Sequence, residues 1–541
     1  MEPMSDSRAA SEKSVAWSVI LLLVSLATAA PFFAVRFLPF TDLPEHVAAI
    51  ATLARLLPGG GGDPDYVFSS GQSQYLLYDL AGALLVRLLG DALLANRVLL
   101  AMLAVAWPYA FRSLLRALGR DERLAIFAPM LFWSRALTIG FLPFIGSVPL
   151  TLVALATLIR QIEKPTRSRA AILAVLAVLL FYAHVSTYVL LGVAGAVMVV
   201  ARVGKDWKRA ALTLVPLVPS ALCALLWWSA GSLDRNDGGG PHVARLSPGA
   251  ALDAAPVWSF DLWRSHADEL WACIWWTAFG LAVLDGLRRK PDASTLRSGA
   301  FALVPFACTL IVYLVTPFSV GPAGYLDVRL APLLGLFSVL ILRPSSGHLV
   351  RVQLAAAAIA AVGTAGTATF EMRRLEREML GDFSKVLDAM RPDTRLATLN
   401  FEARSPRAYL WPYAFAGSYH RLKPGTIAGY SFTELPHWPL HYAGGHAPPQ
   451  PSEFWAYRPC AFRHRADAAY YDYILVQGRY DPFASEHPGP AFEPIASSGN
   501  FTLFAKNEKV PEANADAPDR SVCRRRPAPD AAGAEPYAAP E

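Results

Sequence analysis

Charged residues are scarce in this chain: they make up 17% of its 541 positions, against about 25% in ordinary soluble domains. That deficit excludes a surface exposed throughout to water and points to a membrane. Cysteine is rare too, five in all with no C-x-x-C pair, so a zinc-ribbon reading has no support. There is no G-x-x-x-x-G-K-S/T and no G-x-G-x-x-G after a strand, which removes nucleotide-driven transport and dinucleotide chemistry. No basic arm interleaved with aromatics occurs either. The net charge of +6 is accounted for by short basic loops, so nucleic acid is not an expected partner. No internal repeat of transporter type is evident.

What the chain does have is apolar length, with 54% hydrophobic residues. Long apolar stretches recur from about 15 to 368, each able to form a helix near the ~20 residues needed to cross a bilayer. Basic clusters lie at Arg112/Arg116/Arg120/Arg123, Arg160/Lys164/Arg167/Arg169, Lys205/Lys208/Arg209, Arg288/Arg289/Lys290/Arg297 and Arg343/Arg351. Such clusters stay preferentially in the cytoplasm. Keeping all of them inside requires spans near 15–36, 95–117, 122–142, 146–161, 171–184, 185–203, 210–229, 268–287, 299–316, 329–343 and 351–368.

The expected fold is therefore an α-helical polytopic membrane protein of about 11 transmembrane helices. Residues 1–14 would be a cytoplasmic N-terminus, and the first span reads as an uncleaved anchor because Pro31 follows its small residues. Residues 171–203 must turn back at His184, since both flanks are basic. The segment 72–90 must stay outside as a re-entrant or interfacial helix, consistent with its internal Asp79 and Arg87. Residues 369–508 read as an extracytoplasmic α/β domain, with a helix at 383–390 and strands in LATLN, YDYILVQ and FTLFAK. In that domain YLWPYAFAGSYHRL and HWPLHYAGG are dense in aromatics and histidine, suited to core packing or to sugar stacking. Residues 509–541 read as a disordered tail. Cys460 and Cys523 would both lie outside, where a disulfide is permitted.

The first external loop, 37–94, opens with PFTDLPEHVAAIATLARLL. Leu43, Val47, Ile50, Ala54 and Leu57 recur at helical spacing, predicting a helix along the membrane surface. Asp42 followed by Pro44 and Glu45 has the pattern of a capping box, which needs no catalytic role. An acid at that place also stands beside the first span, within reach of a substrate whose lipid tail lies in the bilayer.

The stretch 72–158 resembles the corresponding part of the GT-C superfamily of membrane glycosyltransferases, especially its protein-mannosyltransferase-like and bacterial aminoarabinose-transferase-like branch. The resemblance rests on Arg87-Leu88-Leu89-Gly90, on Arg97 opening a span, on the basic turn Arg116 to Arg123 and on Trp133-Ser134-Arg135, in that order. The tight helical turn at His184 is similar to one that family carries at the same point. Two departures stand out: the family's adjacent acidic pair is spaced here as Asp42 and Glu45, and its His-Pro-Pro is replaced by Gly71-Gln72-Ser73-Gln74.

The resemblance implies sugar transfer from a polyprenyl-phosphate-linked donor to an envelope lipid, glycan or protein acceptor, at the outer face of a bacterial inner membrane. It implies Asp42 as catalytic base with Glu45 as the second candidate. His46, Arg135, His184, Asp327 and Arg329 are the candidates for contacting substrate or phosphate, Asp327 also as a second acid. Each has a plain alternative: arginines at helix ends snorkel to headgroups, and His184 is a polar turn residue. Some relatives use a divalent cation, yet no carboxylate pair here has ligand spacing. In the run from His437 to His441, followed by His446, Pro439 spoils the helical geometry a zinc site would need. The competing reading is a non-catalytic transporter, flippase or assembly factor for envelope polysaccharide. Ionisable groups gathered at outer loops, and not mid-span, lean toward the enzyme.

Overall fold

The structure, a computed structural model, describes residues 3–69, 73–229, 243–288, 299–320, 323–343, 347–429, 431–435, 438–448, 455–464, 466–483, 492–507 and 522–523. Among these, seven helices are long and apolar enough to cross a membrane. They are 15–33, within and just past α1 (Pro3–Ala29), then α4 (Ala92–Ala117), Leu142–Glu163, Val185–Val203, Trp207–Ser229, Glu269–Leu287 and His348–Leu380. Gly299–Val315 and Ala331–Ile341 are shorter apolar helices. The chain is a multi-pass membrane protein whose C-terminal region carries strands. Part of the basic loop, from Arg289 to Arg297, lies outside the described residues, as do Gly71, Gln72 and His437; of the tail only 522–523 is described.

The turn at His184 forms as the basic flanks require. His184 ends the helix Arg167–Ala183 and begins Val185–Val203 in an extended conformation, φ −169° and ψ 131°. Its Nδ1 accepts the amide N–H of Ser186 at 3.2 Å. The span expected at 122–142 is instead broken, into the 3₁₀ turn Glu122–Phe127 and the short helices Ala128–Phe132 and Arg135–Ile139. Trp133 and Ser134 are extended between the two helices, and Gly140 at φ 100° ends the second. A chain cannot carry an α ladder through those dihedrals.

The first loop folds into α2 (Leu43–Leu56), β1 (Tyr66–Phe68) and α3 (Leu76–Leu89). At 1.5 Å per residue α3 is about 21 Å long, short of the ~30 Å hydrocarbon core. The helix expected along the membrane surface forms, and it is covered by protein: every residue from Leu43 to Ala54 is buried. Its helical repeat is real, but Ala48, Ala49, Ala51 and Thr52 leave the remaining faces small enough for neighbours to close in. α3 packs on one side, where a Cβ at Gly82 would stand 2.4 Å from Ile50 Cδ1. On another side Ala49, Leu53 and Ala83 pack with Trp438 and Leu440 of the C-terminal domain.

Beyond β2 (Val243–Ala244) and β3 (Ser319–Val320), which pair with each other, the remaining strands belong to the C-terminal region. They are β4 (Arg395–Asn400), β5 (Ile427–Ala428), β6 (Leu440–Tyr442), β7 (Tyr473–Gln477), β8 (Phe492–Ser498) and β9 (Phe501–Lys506). β7 is central and buried; β4 runs parallel to both β5 and β7, while β9 pairs antiparallel with β7 and β8, giving the order β5-β4-β7-β9-β8. Helix Phe383–Ala389 and the three expected strands are all present. Cys460 and Cys523 form a disulfide. Tyr413, Phe415, Tyr419 and Trp438 are buried, so these aromatics of the two rich stretches pack cores and do not face solvent. β1 pairs with β6, which ties the first loop to the domain.

Candidate active site

Asp42 stands where two chain segments meet. Its amide N–H donates to the Ile139 carbonyl at 2.8 Å, and that of Thr41 to the Thr138 carbonyl at 3.2 Å. Gly140 makes the approach feasible: a Cβ there would lie 2.9 Å from the Asp42 nitrogen, and its φ of +100° suits glycine. Gly140→Ala is therefore expected to destabilise the protein by roughly 1–2 kcal/mol from backbone conformation alone, read as a lower melting temperature in detergent. An unchanged melt would show that the loop yields without cost.

The expected capping box does not form. Asp42 occupies the N-cap position but makes no side-chain cap hydrogen bond, because it enters α2 already helical, at φ −88° and ψ −8°. A capping side chain needs the extended backbone that swings its oxygen over the first turn. The Asp42 carboxylate is left half-buried, without a cap to make. Burial pushes its pKa up to about 7; the charges of His46 and Arg329 pull it down, and that of Glu45 pushes it up.

Arg329 is the arginine whose charge acts on this carboxylate. Its guanidinium carbon lies 4.0 Å from the centre of the Phe141 ring, next to Gly140, and its Nε has no hydrogen-bond partner among the described residues. Its charge also acts on Tyr75, whose phenol burial pushes up, and on Asp327. Burial raises the Asp327 carboxyl to about 6, against hydrogen bonds from backbone amides including Val328 at 2.9 Å. The Tyr75 ring meets the edge of His184 at 5.1 Å, and Phe144 meets it at 5.5 Å. Asp42, Arg329, Asp327, Tyr75 and His184 are thus linked in one neighbourhood. Tyr75 and Phe141 were not singled out by sequence, and nothing in their spacing marks them.

Of the other candidates, His46 and Glu45 act on Asp42 through their charge but make their own contacts elsewhere, and Arg135 stands apart. Arg135 donates through Nε to the Asp261 carbonyl at 2.8 Å and through Nη2 to the Asp261 carboxylate at 3.1 Å, with its guanidinium 4.2 Å from the Tyr409 ring. It does not figure among the charges acting on Asp42. His46 points inward, where its Nδ1 meets Asp79 Oδ1 at 3.0 Å and its ring lies 5.2 Å from Trp438. Glu45 is fully buried against the C-terminal domain, so its carboxylate has no opening toward a substrate. Arg87 and Arg97 brace the loop instead, Arg87 at the Ala54 and Pro58 carbonyls (3.1 and 2.6 Å) and Arg97 at that of Val35 (3.3 Å).

Among the described residues no three His, Cys, Asp or Glu side chains gather as a metal site; His446 pairs with Asp65 at 2.7 Å. A groove of about 620 Å³ runs between α1 and α4, lined by Leu26, Ala29, Phe33, Val98, Met102 and Tyr109 among others.

No family model matches the sequence, and no curated protein matches it. Solved structures do. ArnT from Cupriavidus metallidurans bound to undecaprenyl phosphate superposes with a TM-score of 0.55 at 11% identity, over 92% of this chain and 99% of that one. Its apo state gives 0.55 at 12% identity, over 92% and 98%. The arabinofuranosyltransferase AftD from Mycobacteria gives 0.50 at 16% identity, over 91% of this chain and 40% of that one. At these identities the likeness speaks of architecture alone: the chain shares the fold of the two ArnT structures over nearly its whole length.

Proposed function

We propose that this protein is a membrane glycosyltransferase that moves a sugar from a polyprenyl-phosphate-linked donor to an envelope lipid, glycan or protein acceptor. The site faces the extracytoplasmic side, with the N-terminus in the cytoplasm of a bacterial cell. The observation that carries this reading is a half-buried Asp42, its carboxyl pushed up to about 7 by burial, within the electrostatic reach of Arg329, whose buried Nε has no hydrogen-bond partner among the described residues. A base tuned near the working pH and a cation for the leaving group are what the reaction needs.

In the proposed step the acceptor oxygen attacks the anomeric carbon while its proton passes to the Asp42 carboxylate. The bond from that carbon to the phosphate oxygen breaks, and the electron pair leaves on the polyprenyl phosphate, whose charge Arg329 stabilises. Tyr75 and His184 shape the wall, and the charge of Asp327 acts on Arg329. The groove between α1 and α4 has the apolar lining an isoprenoid chain requires. The solved ArnT complex with undecaprenyl phosphate, on the same fold, supports the choice of lipid carrier.

The direct test is transfer from radiolabelled polyprenyl-phosphate sugars by the reconstituted protein. Absence of transfer from every donor, together with solute uptake into vesicles, would favour the transporter. Arg329→Gln is expected to weaken binding of undecaprenyl phosphate by roughly 10- to 100-fold, the worth of a charged hydrogen bond. Unchanged affinity would remove Arg329 from the phosphate site.

A further inference from the structure

Glu45 sits one turn after Asp42 on α2, and every group that bonds its carboxylate comes from the C-terminal domain. The Ser418 hydroxyl donates to Oε1. Oε2 accepts from the Ser431 hydroxyl at 2.9 Å, the Phe432 amide at 3.0 Å and Arg421 Nη1 at 3.4 Å. Arg421 is itself fully buried, donates to Ser431 Oγ at 2.6 Å and lies 4.7 Å from the centre of the Tyr66 ring. Its carbonyl accepts from Arg55 Nη2, further along α2, at 3.0 Å.

A second grip falls on the chain just before Asp42. Glu376 Oε1, in the π-helical turn that ends the last long helix, accepts the amides of Arg36 and Phe37 at 2.9 and 3.1 Å. The Tyr413 hydroxyl donates to the Phe37 carbonyl at 3.2 Å. A buried carboxylate with several fixed donors tolerates little displacement, since each lost bond exposes an uncompensated charge to a low dielectric. The start of α2 is therefore registered to the C-terminal domain and not only to the membrane helices.

We infer that Glu45 is the positioning residue through which the C-terminal domain sets the place of Asp42, making that domain a working part of the transfer site. The inference rests on the reading of Asp42 as base. A displacement near 1 Å at a reacting group costs about 100-fold in rate, so a clamp one turn away has the leverage required. The charged and titratable groups around the two acids are His46 and Arg329 for Asp42, and Arg421, Tyr66, Asp79 and Glu434 for Glu45.

The experiment follows Asp42 directly. In the full-length protein, the infrared band of the protonated carboxyl that disappears in Asp42→Asn is titrated in wild type, Glu45→Gln and Arg421→Lys, alongside kcat and KM on undecaprenyl-phosphate sugars. Glu45→Gln removes a negative neighbour and loosens the clamp. Its Asp42 midpoint should fall by about one pH unit, and kcat should drop at least tenfold with KM for the donor held within twofold. Arg421→Lys keeps the charge and should retain most of the rate. A folded Glu45→Gln protein with midpoint and kcat both at wild-type values overturns the inference. Should Glu45→Gln fail to fold, Ser418→Ala removes one donor without touching charge, and wild-type kcat in that variant overturns it equally. Full activity in Asp42→Asn would instead sink the base assignment, while the titration would still read whether Glu45 acts on Asp42.

Discussion

Asp42→Asn abolishes transfer: kcat falls by roughly 10²- to 10⁴-fold, the usual worth of a positioned base, while undecaprenyl phosphate still binds. In wild type the rate rises with pH through about 7 as the carboxylate ionises. The same substitution has a second expected outcome, opposite in sign. Because burial raises the carboxyl in the folded state, folding favours its protonated form. That contribution to stability is fully present below the ordinary aspartate range and is lost as pH rises through about 7. The carboxamide cannot ionise. Asp42→Asn should therefore melt higher than wild type at pH 8 and alike at pH 4, an inactive protein more stable than the active one. Retained activity with identical melting at both pH values would mean that Asp42 faces only its own helix.

Arg421→Met is the most destabilising substitution the structure points to. It leaves the fully buried Glu45 carboxylate facing Ser418, Ser431 and one amide with no cation. Removing one partner of a buried pair costs about 3–5 kcal/mol, whereas replacing both with apolar groups is often neutral. The double variant Arg421→Met/Glu45→Leu should recover most of the loss in thermal unfolding. Equal loss in single and double variants would mean that the packing of the Arg421 stem, and not its charge, holds the domain on α2.

Much of the membrane body was legible because lipid imposes simple rules: long apolar runs, and a turn at His184 expected between two basic flanks. The broken stretch 122–142 was not. Its apolar content says nothing of Trp133 and Ser134 being extended, a conformation set by what packs around them. For the candidate site, the family resemblance pointed to Asp42 and the outer end of a span to Arg329, and the structure brings the two within electrostatic reach of each other. The role of Glu45 was hidden for a different reason. Helical spacing explained it so well as a capping residue that its true partner, 376 positions away in Arg421, had no local trace. The repeat in α2 reported an apolar stripe, and the small residues on its other faces were the unread sign that this helix is covered all round. Arg135 is instructive in the opposite direction. A cation expected on the outer side asks for a reason, and the reason found is Asp261 and Tyr409.

The pairing of β1 with β6 joins Tyr66–Phe68 to Leu440–Tyr442, and this bears on the order in which a ribosome makes the chain. The loop holding Asp42 is translated early, yet the strand and the arginine that complete its surroundings emerge only after all the described spans. Throughout that interval Glu45 has no cation and β1 no neighbour, so the loop waits unfinished. The corner around Asp42 is assembled last, and a ribosome that stops before Leu440 leaves that corner without its second strand.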